Sequence, residues 1–404
     1  MYIIGIIHNI WFEKAAVQAT GEINMEQNVT IIATSTMGLE AIVAKEVKDL
    51  GYANTQIENG KVIIEAPLSA IPRLNMWLRT SDRIKLRIGL FQARTFDDLF
   101  EKTKALPWED ILPENASFPV TGRSVKSTLY SVPDCQAIVK KAIVERLKQR
   151  YKKEWFFEDG FLYKVEVAIL KDEVSITLDT TGVGLHKRGY RSLHSAAPLK
   201  ETLAAAMIKL SHWKPDYPLV DPFCGSGTIP IEAALIGRNI APGINRFFDS
   251  EDWGILKQEW WDQAREEADD KADYDRPLDI TGSDIDHRMV DLAVENTEEA
   301  GLQDAIHYKQ MQAVDFTTPK EYGSIITNPP YGERVGEKEE VKELYRNLGK
   351  IWKPLSTWSV YIITSDEKFE NTYGAKATKK RKLYNGNIRT DYYQYWGERP
   401  PRRS

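Results

Sequence analysis

The chain has 404 residues, 42% of them hydrophobic and 28% charged, with a formal net charge of −5. That length supports two or three domains, each with its own core, and the composition excludes wholesale disorder. Two cysteines, Cys135 and Cys224, stand at unrelated positions, which excludes a disulfide framework or a zinc spacing and fits a reducing, cytoplasmic setting.

At the start, Tyr2 to Trp11 is apolar but too short to span a membrane, and no basic residue precedes it. Residues 1–27 are expected to be a disordered extension, and no other stretch is apolar enough for a transmembrane helix. Val29 to Ala33 then reads as a strand. A helix follows around Gly38 to Leu50, with Leu39, Ile42, Val43, Val47 and Leu50 on one face. A hairpin is predicted around Asn59-Gly60, the dipeptide that suits a tight two-residue turn. A helix over Leu68 to Leu78 and a strand over Arg83 to Leu90 complete a β-α-β-β-α-β order, the pattern of a ferredoxin-like unit spanning residues 28–90.

A second unit is expected over residues 91–186. Its helix, Asp134 to Arg150, turns Ile138, Ala142, Val144 and Leu147 inward and lysines and arginines outward; strands over Leu162 to Ile169 and Glu173 to Leu178 follow. From residue 192 to 404 strands and helices alternate, as a doubly wound parallel sheet requires. The fold class is therefore α/β, with an α+β N-terminal half.

The chemistry sits at the ends of those later strands. Leu219-Val220 runs into Asp221-Pro222-Phe223-Cys224-Gly225-Ser226-Gly227-Thr228 and then a helix rich in Ala and Ile. Gly225 and Gly227 let the backbone approach a ligand, and the helix N-terminus offers free N–H groups. Pro230 breaks the G-x-G-x-x-G spacing of a dinucleotide site. Asp221 suits a ligand with an ammonium group, such as S-adenosylmethionine. Cys224 in this loop reads as a small packing side chain and not a nucleophile.

About sixty residues on, roughly double a minimal β-α-β crossover, Asp279 to Asp286 reads as the second strand. It ends in Asp284-Ile285, an acid able to take both ribose hydroxyls. The surplus, Trp253 to Asp275, reads as an inserted helix on the flank, its Trp260-Trp261 pair serving packing. Gln312 to Phe316 reads as the third strand's end, with Asp315 able to accept from an adenine amine. The fourth strand, Ser324 to Thr327, stops at Asn328-Pro329-Pro330-Tyr331. That places a carboxamide, a rigid carbonyl and an aromatic ring at a ligand-binding sheet edge. Asn328 and the Pro329 carbonyl can accept from an exocyclic NH2, and Tyr331 can stack on its base. A helix over Val341 to Trp352, a strand over Val360 to Thr364 and a hairpin around Asn385-Gly386 close the chain.

Taken in order, the Asp221 loop, Asp284, Asp315 and Asn328 resemble a class I S-adenosylmethionine-dependent methyltransferase of the amino-methylating branch. Leu178 to Arg191 with Ala197 to Ala205 looks like the junction of a THUMP RNA-binding domain with its methyltransferase. Gly122 to Ser127 with Asp134 to Lys141 looks like the THUMP core, and Lys382 to Ile388 is similar to the large-subunit rRNA guanine-N2 methyltransferases of the L type. The resemblance implies S-adenosylmethionine as cofactor and a guanine N2 in RNA as substrate, foremost 23S rRNA, with tRNA as the alternative. DNA adenine N6 and a non-catalytic assembly role are more distant readings. No membrane or DNA partner and no metal is implied. Local basic runs supply the RNA candidates: Lys140, Lys141, Lys148, Arg150 and Lys152 in the second unit, and Lys187, Arg188 and Arg191 at the junction. A further run, Lys376 through Lys382, lies beside the catalytic edge, and Glu333 and Arg334 adjoin the Asn328 motif as contacts to RNA or as a solvated turn.

Overall fold

A computed structural model describes residues 28–191, 199–332 and 337–401. The expected N-terminal extension, Ala197, Pro198, Glu333 and Arg334 lie outside the described residues.

The first unit is built as its pattern predicts: β1 (Val29–Thr34), α1 (Glu40–Asp49), β2 (Thr55–Glu58), β3 (Lys61–Ala66), α2 (Ala70–Trp77) and β4 (Arg83–Gln92). Glu58 pairs with Lys61 across the Asn59-Gly60 turn, where Gly60 takes φ +74°. Then come α3 (Phe96–Lys104), β5 (Val120–Val125), α4 (Val132–Tyr151), β6 (Val165–Leu170) and β7 (Glu173–Asp179). α3 and β5 are absent from the sequence reading. Thr95 caps α3, its side chain accepting from the Asp98 N–H at 3.0 Å.

These two units share one seven-stranded sheet, ordered β2-β3-β1-β4-β7-β6-β5. The junction is β4, a ten-residue strand whose Leu86 pairs with Ile31 on one side and Leu178 on the other. The division expected at residue 90 thus falls inside a strand. The buried face of α4 also differs from expectation. Cys135, Val139, Ala142, Ile143 and Leu147 are buried, whereas Ile138 and Val144 are only half-buried. Cys135 opens an i, i+4, i+8 stripe with Val139 and Ile143, which turns the buried face by about one residue.

The C-terminal half holds α5 (Glu201–Leu210), β8 (Leu219–Asp221), α6 (Thr228–Gly237), α7 (Gln258–Asp270), β9 (Ile280–Asp284), α8 (His287–Glu299), β10 (Ile306–Gln310) and β11 (Ser324–Thr327). After these come α9 (Glu337–Trp352), β12 (Ser359–Thr364), α10 (Phe369–Tyr373), β13 (Lys379–Asn385) and β14 (Ile388–Tyr395). Its sheet runs β10-β9-β8-β11-β12-β14-β13, parallel from β10 to β12 and antiparallel at the closing hairpin. Strand order reverses between β8 and β11, and the crevice outside such a reversal is where α/β sheets hold ligands. Among the described residues no helix is long and apolar enough to cross a membrane.

The insertion carrying α7 is an interface. Phe248, Trp253, Leu256 and Trp261 are buried in the same core as the N-terminal sheet. Trp261 stacks on Phe248 at 5.4 Å and Trp253 on Tyr163 at 4.7 Å, so these aromatics serve packing. Arg73 on α2 makes a two-pronged ion pair with Glu267 at 2.6 and 2.7 Å. Beside it the two backbones touch: a Cβ on Gly243 would lie 2.8 Å from the Met76 Cα. Leu39 and Ile42 of the first unit share a second core with Leu203 and Leu383. The ferredoxin-like unit therefore packs into two cores that it shares with the C-terminal half.

Candidate functional site

A cavity of about 500 Å³ opens at the C-terminal ends of β8, β9 and β11. Of the expected site residues, Asp221, Phe223, Cys224, Gly225, Ser226, Thr228, Asp284, Ile285, Asn328 and Pro330 line it. Segments more than a hundred residues apart converge there because parallel strands all end at one edge.

Asp221 forms its floor. The carboxylate is fully buried, and its Oδ1 accepts from the Phe223 N–H at 3.1 Å and the Thr327 hydroxyl at 2.6 Å. Burial pushes its pKa up to about 7 against those two hydrogen bonds. Thr327 therefore ties the end of β11 to the end of β8, a link the sequence reading missed. Asp284 supports the loop as well as facing the cavity: it accepts from the Gly225 N–H at 3.1 Å and the Asp286 N–H at 3.0 Å. Each of its oxygens keeps a lone pair beyond those contacts.

The two loop glycines have different reasons to be glycine. Gly225 takes φ +50° and has open space where a side chain would stand. Gly227 takes φ +84° and is packed from behind, since its Cβ would come 2.7 Å from the Tyr308 hydroxyl. Its place is under the loop and not in the cavity wall. Cys224 is buried, and burial raises its thiol well above the usual range, as suits a packing side chain.

Asp315 departs from expectation. The third strand ends at Gln310, and Ala313–Asp315 is a 3₁₀ turn beyond it. Gln312, Ala313 and Val314 line the cavity while Asp315 is exposed outside its wall. A one-turn helix rotates successive side chains by about 120°, so the acid is carried away from its neighbours.

At the end of β11 the Tyr331 hydroxyl donates to Asn328 Oδ1 at 2.6 Å. Pro329 is buried and Pro330 is exposed at the cavity. The buried Tyr345 on α9 donates to the Pro330 carbonyl at 2.7 Å.

Several of the expected RNA-contacting cations are committed to other partners. Arg188 is buried, pairs with Glu232 at 3.1 Å and donates to the Leu185 and Arg79 carbonyls at 2.6 Å each. It is a structural cation at the junction and cannot reach RNA. Arg191 is mostly buried, pairs with Glu201 at 3.2 Å and donates to Thr228 at the cavity. Lys140 pairs with Glu158, and Lys148 with Glu145 and Glu154. Lys141, Arg150, Lys152 and Lys187 are exposed.

The chain matches three family models in the order read from its sequence. Residues 30–85 match the RlmL ferredoxin-like domain, 93–179 the THUMP domain and 188–394 the RMKL-like methyltransferase domain. A Bacillus subtilis relative named "Putative RNA methyltransferase YpsC" is 61% identical over 93% of this chain and 97% of its own length. The Shewanella baltica "Ribosomal RNA large subunit methyltransferase K/L" is 33% identical over 91% of this chain. The chain spans about half the length of that relative, 53%. Two solved structures are also similar. One, titled a "predicted N6-adenine-specific DNA methylase" from Listeria monocytogenes, is 59% identical with a TM-score of 0.88, covering 92% of this chain and 97% of that one. The other, "SMU.472, a putative methyltransferase complexed with SAH", is 47% identical with a TM-score of 0.89, covering 93% and 100%.

Proposed function

This chain belongs to the RMKL-like methyltransferase family, and we propose that it transfers a methyl group from S-adenosylmethionine to the exocyclic N2 amine of a guanine in RNA, with 23S rRNA as the target class. The observation that carries this reading is the convergence of Asn328 with Asp221 and Asp284 on one cavity. The buried Asp221 carboxyl at the cavity floor, its pKa pushed up to about 7 by burial, fits an ammonium group, whose positive charge favours the ionised form. Open space at Gly225 and the free N–H groups at the start of α6 fit a carboxylate. The volume suits an adenosyl-amino acid, and the similar SMU.472 structure is titled as a complex with SAH. Bound there, S-adenosylmethionine supplies an electrophilic methyl group.

What the protein adds is orientation. The lone pair of a guanine N2 amine is delocalised into the ring and is a poor nucleophile. Hydrogen bonds from that NH2 to Asn328 Oδ1 and the Pro329 carbonyl draw the nitrogen from planar toward tetrahedral geometry and localise its lone pair toward the methyl carbon. The N–CH3 bond forms as the S–CH3 bond breaks, and one N–H proton is released. Holding both reactants in one geometry provides most of the acceleration. Tyr331 stacks on a base taken out of its helix. Gln312 replaces Asp315 as the polar side chain on the third strand's side of the cavity.

RNA as the substrate class is supported by the THUMP match and by the relatives named for RNA. The likeness titled as a DNA adenine methylase supports the alternative amine, which the Asn-Pro-Pro-Tyr segment by itself fits equally. Mass mapping of N2-methylguanosine in 23S rRNA and tRNA, and of N6-methyladenine in DNA, from a strain lacking the gene separates the readings. Loss from 23S rRNA alone is expected; loss from tRNA or DNA alone contradicts the proposed target.

A further inference from the structure

Two consecutive prolines give the segment after Asn328 no N–H with which to hold itself in place. Its carbonyls are the remaining handles, and one of them is held by a chain of hydroxyls reaching in from α9 and β12. Tyr345 Oη lies 2.7 Å from the Pro330 carbonyl and 3.0 Å from Thr364 Oγ1. A carbonyl cannot donate, so the single phenolic proton goes to Pro330. Thr364 must then donate to Tyr345, and Thr364 in turn accepts from the Asp366 N–H at 3.2 Å. Every proton in this relay has one assignment.

The relay is also rigid. Tyr345 and Thr364 are both completely buried. The Tyr345 ring stands edge-on to Phe369 at 4.9 Å, and Thr364 ends β12, the strand beside β11. Burial holds the phenol well above its ordinary range, so it stays a donor throughout neutral pH. Within the same short turn, the Tyr331 hydroxyl donates to Asn328 Oδ1. The turn is thus pinned at two points.

We propose that Tyr345 is a positioning residue for methyl transfer, fixing the Pro330–Tyr331 peptide through the Thr364–Tyr345–Pro330 relay so that Asn328 meets the substrate amine, and Tyr331 its base, in one orientation. This rests on the reading of Asn328 given above. Tyr345 touches neither reactant; it acts through the peptide it holds.

The test uses the full chain, unmodified large-subunit rRNA transcribed in vitro and S-adenosylmethionine with a labelled methyl group. Tyr345→Phe keeps the ring against Phe369 and removes only the hydroxyl. Its single-turnover rate at saturating reactants is expected to fall about tenfold, the upper range for one oriented hydrogen bond. Dissociation constants for RNA and cofactor should change less than twofold. Thr364→Val should lower the rate similarly, the double variant should lower it no further, and Thr364→Ser should restore it. A lower melting temperature with an unchanged rate in both Tyr345→Phe and Thr364→Val would overturn the proposal, leaving a purely structural tie. Asn328→Ala in the same assay separates the two readings. If it is slow while Tyr345→Phe is normal, only the positioning role fails; if both are normal, the reading of the site fails too.

Discussion

The Tyr331 hydroxyl donates to Asn328 Oδ1 at 2.6 Å across a turn containing two prolines. One of the two lone pairs on that oxygen is thereby used to orient the carboxamide, and the other remains for a substrate NH2. The proposed reading gives Tyr331 two separable roles, the tether through its hydroxyl and a stacking surface through its ring.

Tyr331→Phe should keep the stacking and lose the tether, slowing turnover about 2–10-fold, the worth of one neutral hydrogen bond. Tyr331→Ala should in addition weaken RNA binding by about 1–3 kcal/mol, the range for one base stacked on an aromatic ring. Single-turnover rates beside RNA titrations distinguish the two losses. Equal rates for both variants and wild type would remove Tyr331 from the chemistry.

Asp221 sets a pH dependence with a definite sign. Its folded pKa of about 7 lies above the ordinary 3.8, so the fold favours the protonated form. Its contribution to stability is complete below about pH 4 and is lost as pH rises through about 7, a change of a few kcal/mol in the protein alone. A ligand ammonium favours the ionised form instead. Cofactor affinity should rise about tenfold per pH unit below pH 7 and level off above it, with proton release on binding. Calorimetry in buffers of differing ionisation enthalpy measures that release. Asp221→Asn should be at least as stable as wild type at pH 8 and should bind the cofactor weakly and independently of pH.

The Arg188–Glu232 pair predicts a loss of fold and not of RNA contact. Both side chains are essentially inaccessible, at 2% and 0% exposure. Arg188→Ala leaves an uncompensated buried carboxylate, which costs about 3–5 kcal/mol. Denaturant titration should show that loss, while RNA affinity per folded molecule stays unchanged. A stable variant with weakened RNA binding would return Arg188 to the RNA surface.

RNA contact is expected on β13 more than along α4. Lys379 and Lys382 are exposed on the edge strand, with Lys376 just before it, while Lys380 between them pairs with Asp391 at 3.6 Å. Opposite them, β14 pairs antiparallel with β12, whose Thr364 lies at the catalytic edge. On α4, by contrast, Arg146 is bound to Glu109 and Lys148 to two glutamates. Lys379→Glu with Lys382→Glu should weaken RNA binding and lower its salt slope by about 2, one for each lost phosphate contact. Cofactor affinity should not change. An unaltered salt slope would leave these lysines as guards of an exposed strand edge.

Features governed by neighbours in sequence were legible. Asn59-Gly60 announces its hairpin because only certain residues tolerate positive φ there. The motifs at Asp221 and Asn328 announce their strand ends because each follows a short apolar run. Features fixed by distant partners were not. Nothing near Leu90 reveals that β4 pairs with β7, nearly ninety residues on. Arg188 reads as one more cation in a basic run until Glu232, 44 residues later, is seen to bury it. Asp315 was misplaced because a one-turn 3₁₀ helix carries no periodicity and rotates an acid out of the cavity. Tyr345 is one more aromatic in an amphipathic helix as far as its sequence neighbours go, and only its hydroxyl contacts set it apart.

Asn328→Ala carries the account most directly. It removes the acceptor proposed for the target amine and leaves Asp221, Asp284 and the loop between them unchanged. The single-turnover methylation rate should fall about 10²–10³-fold, as for loss of other preorganised active-site hydrogen-bonding groups. Cofactor and RNA affinities should stay within about twofold, because the contact matters mainly in the transition state. A variant with a lowered melting temperature and a normal single-turnover rate would make Asn328 a turn residue and contradict the proposed chemistry.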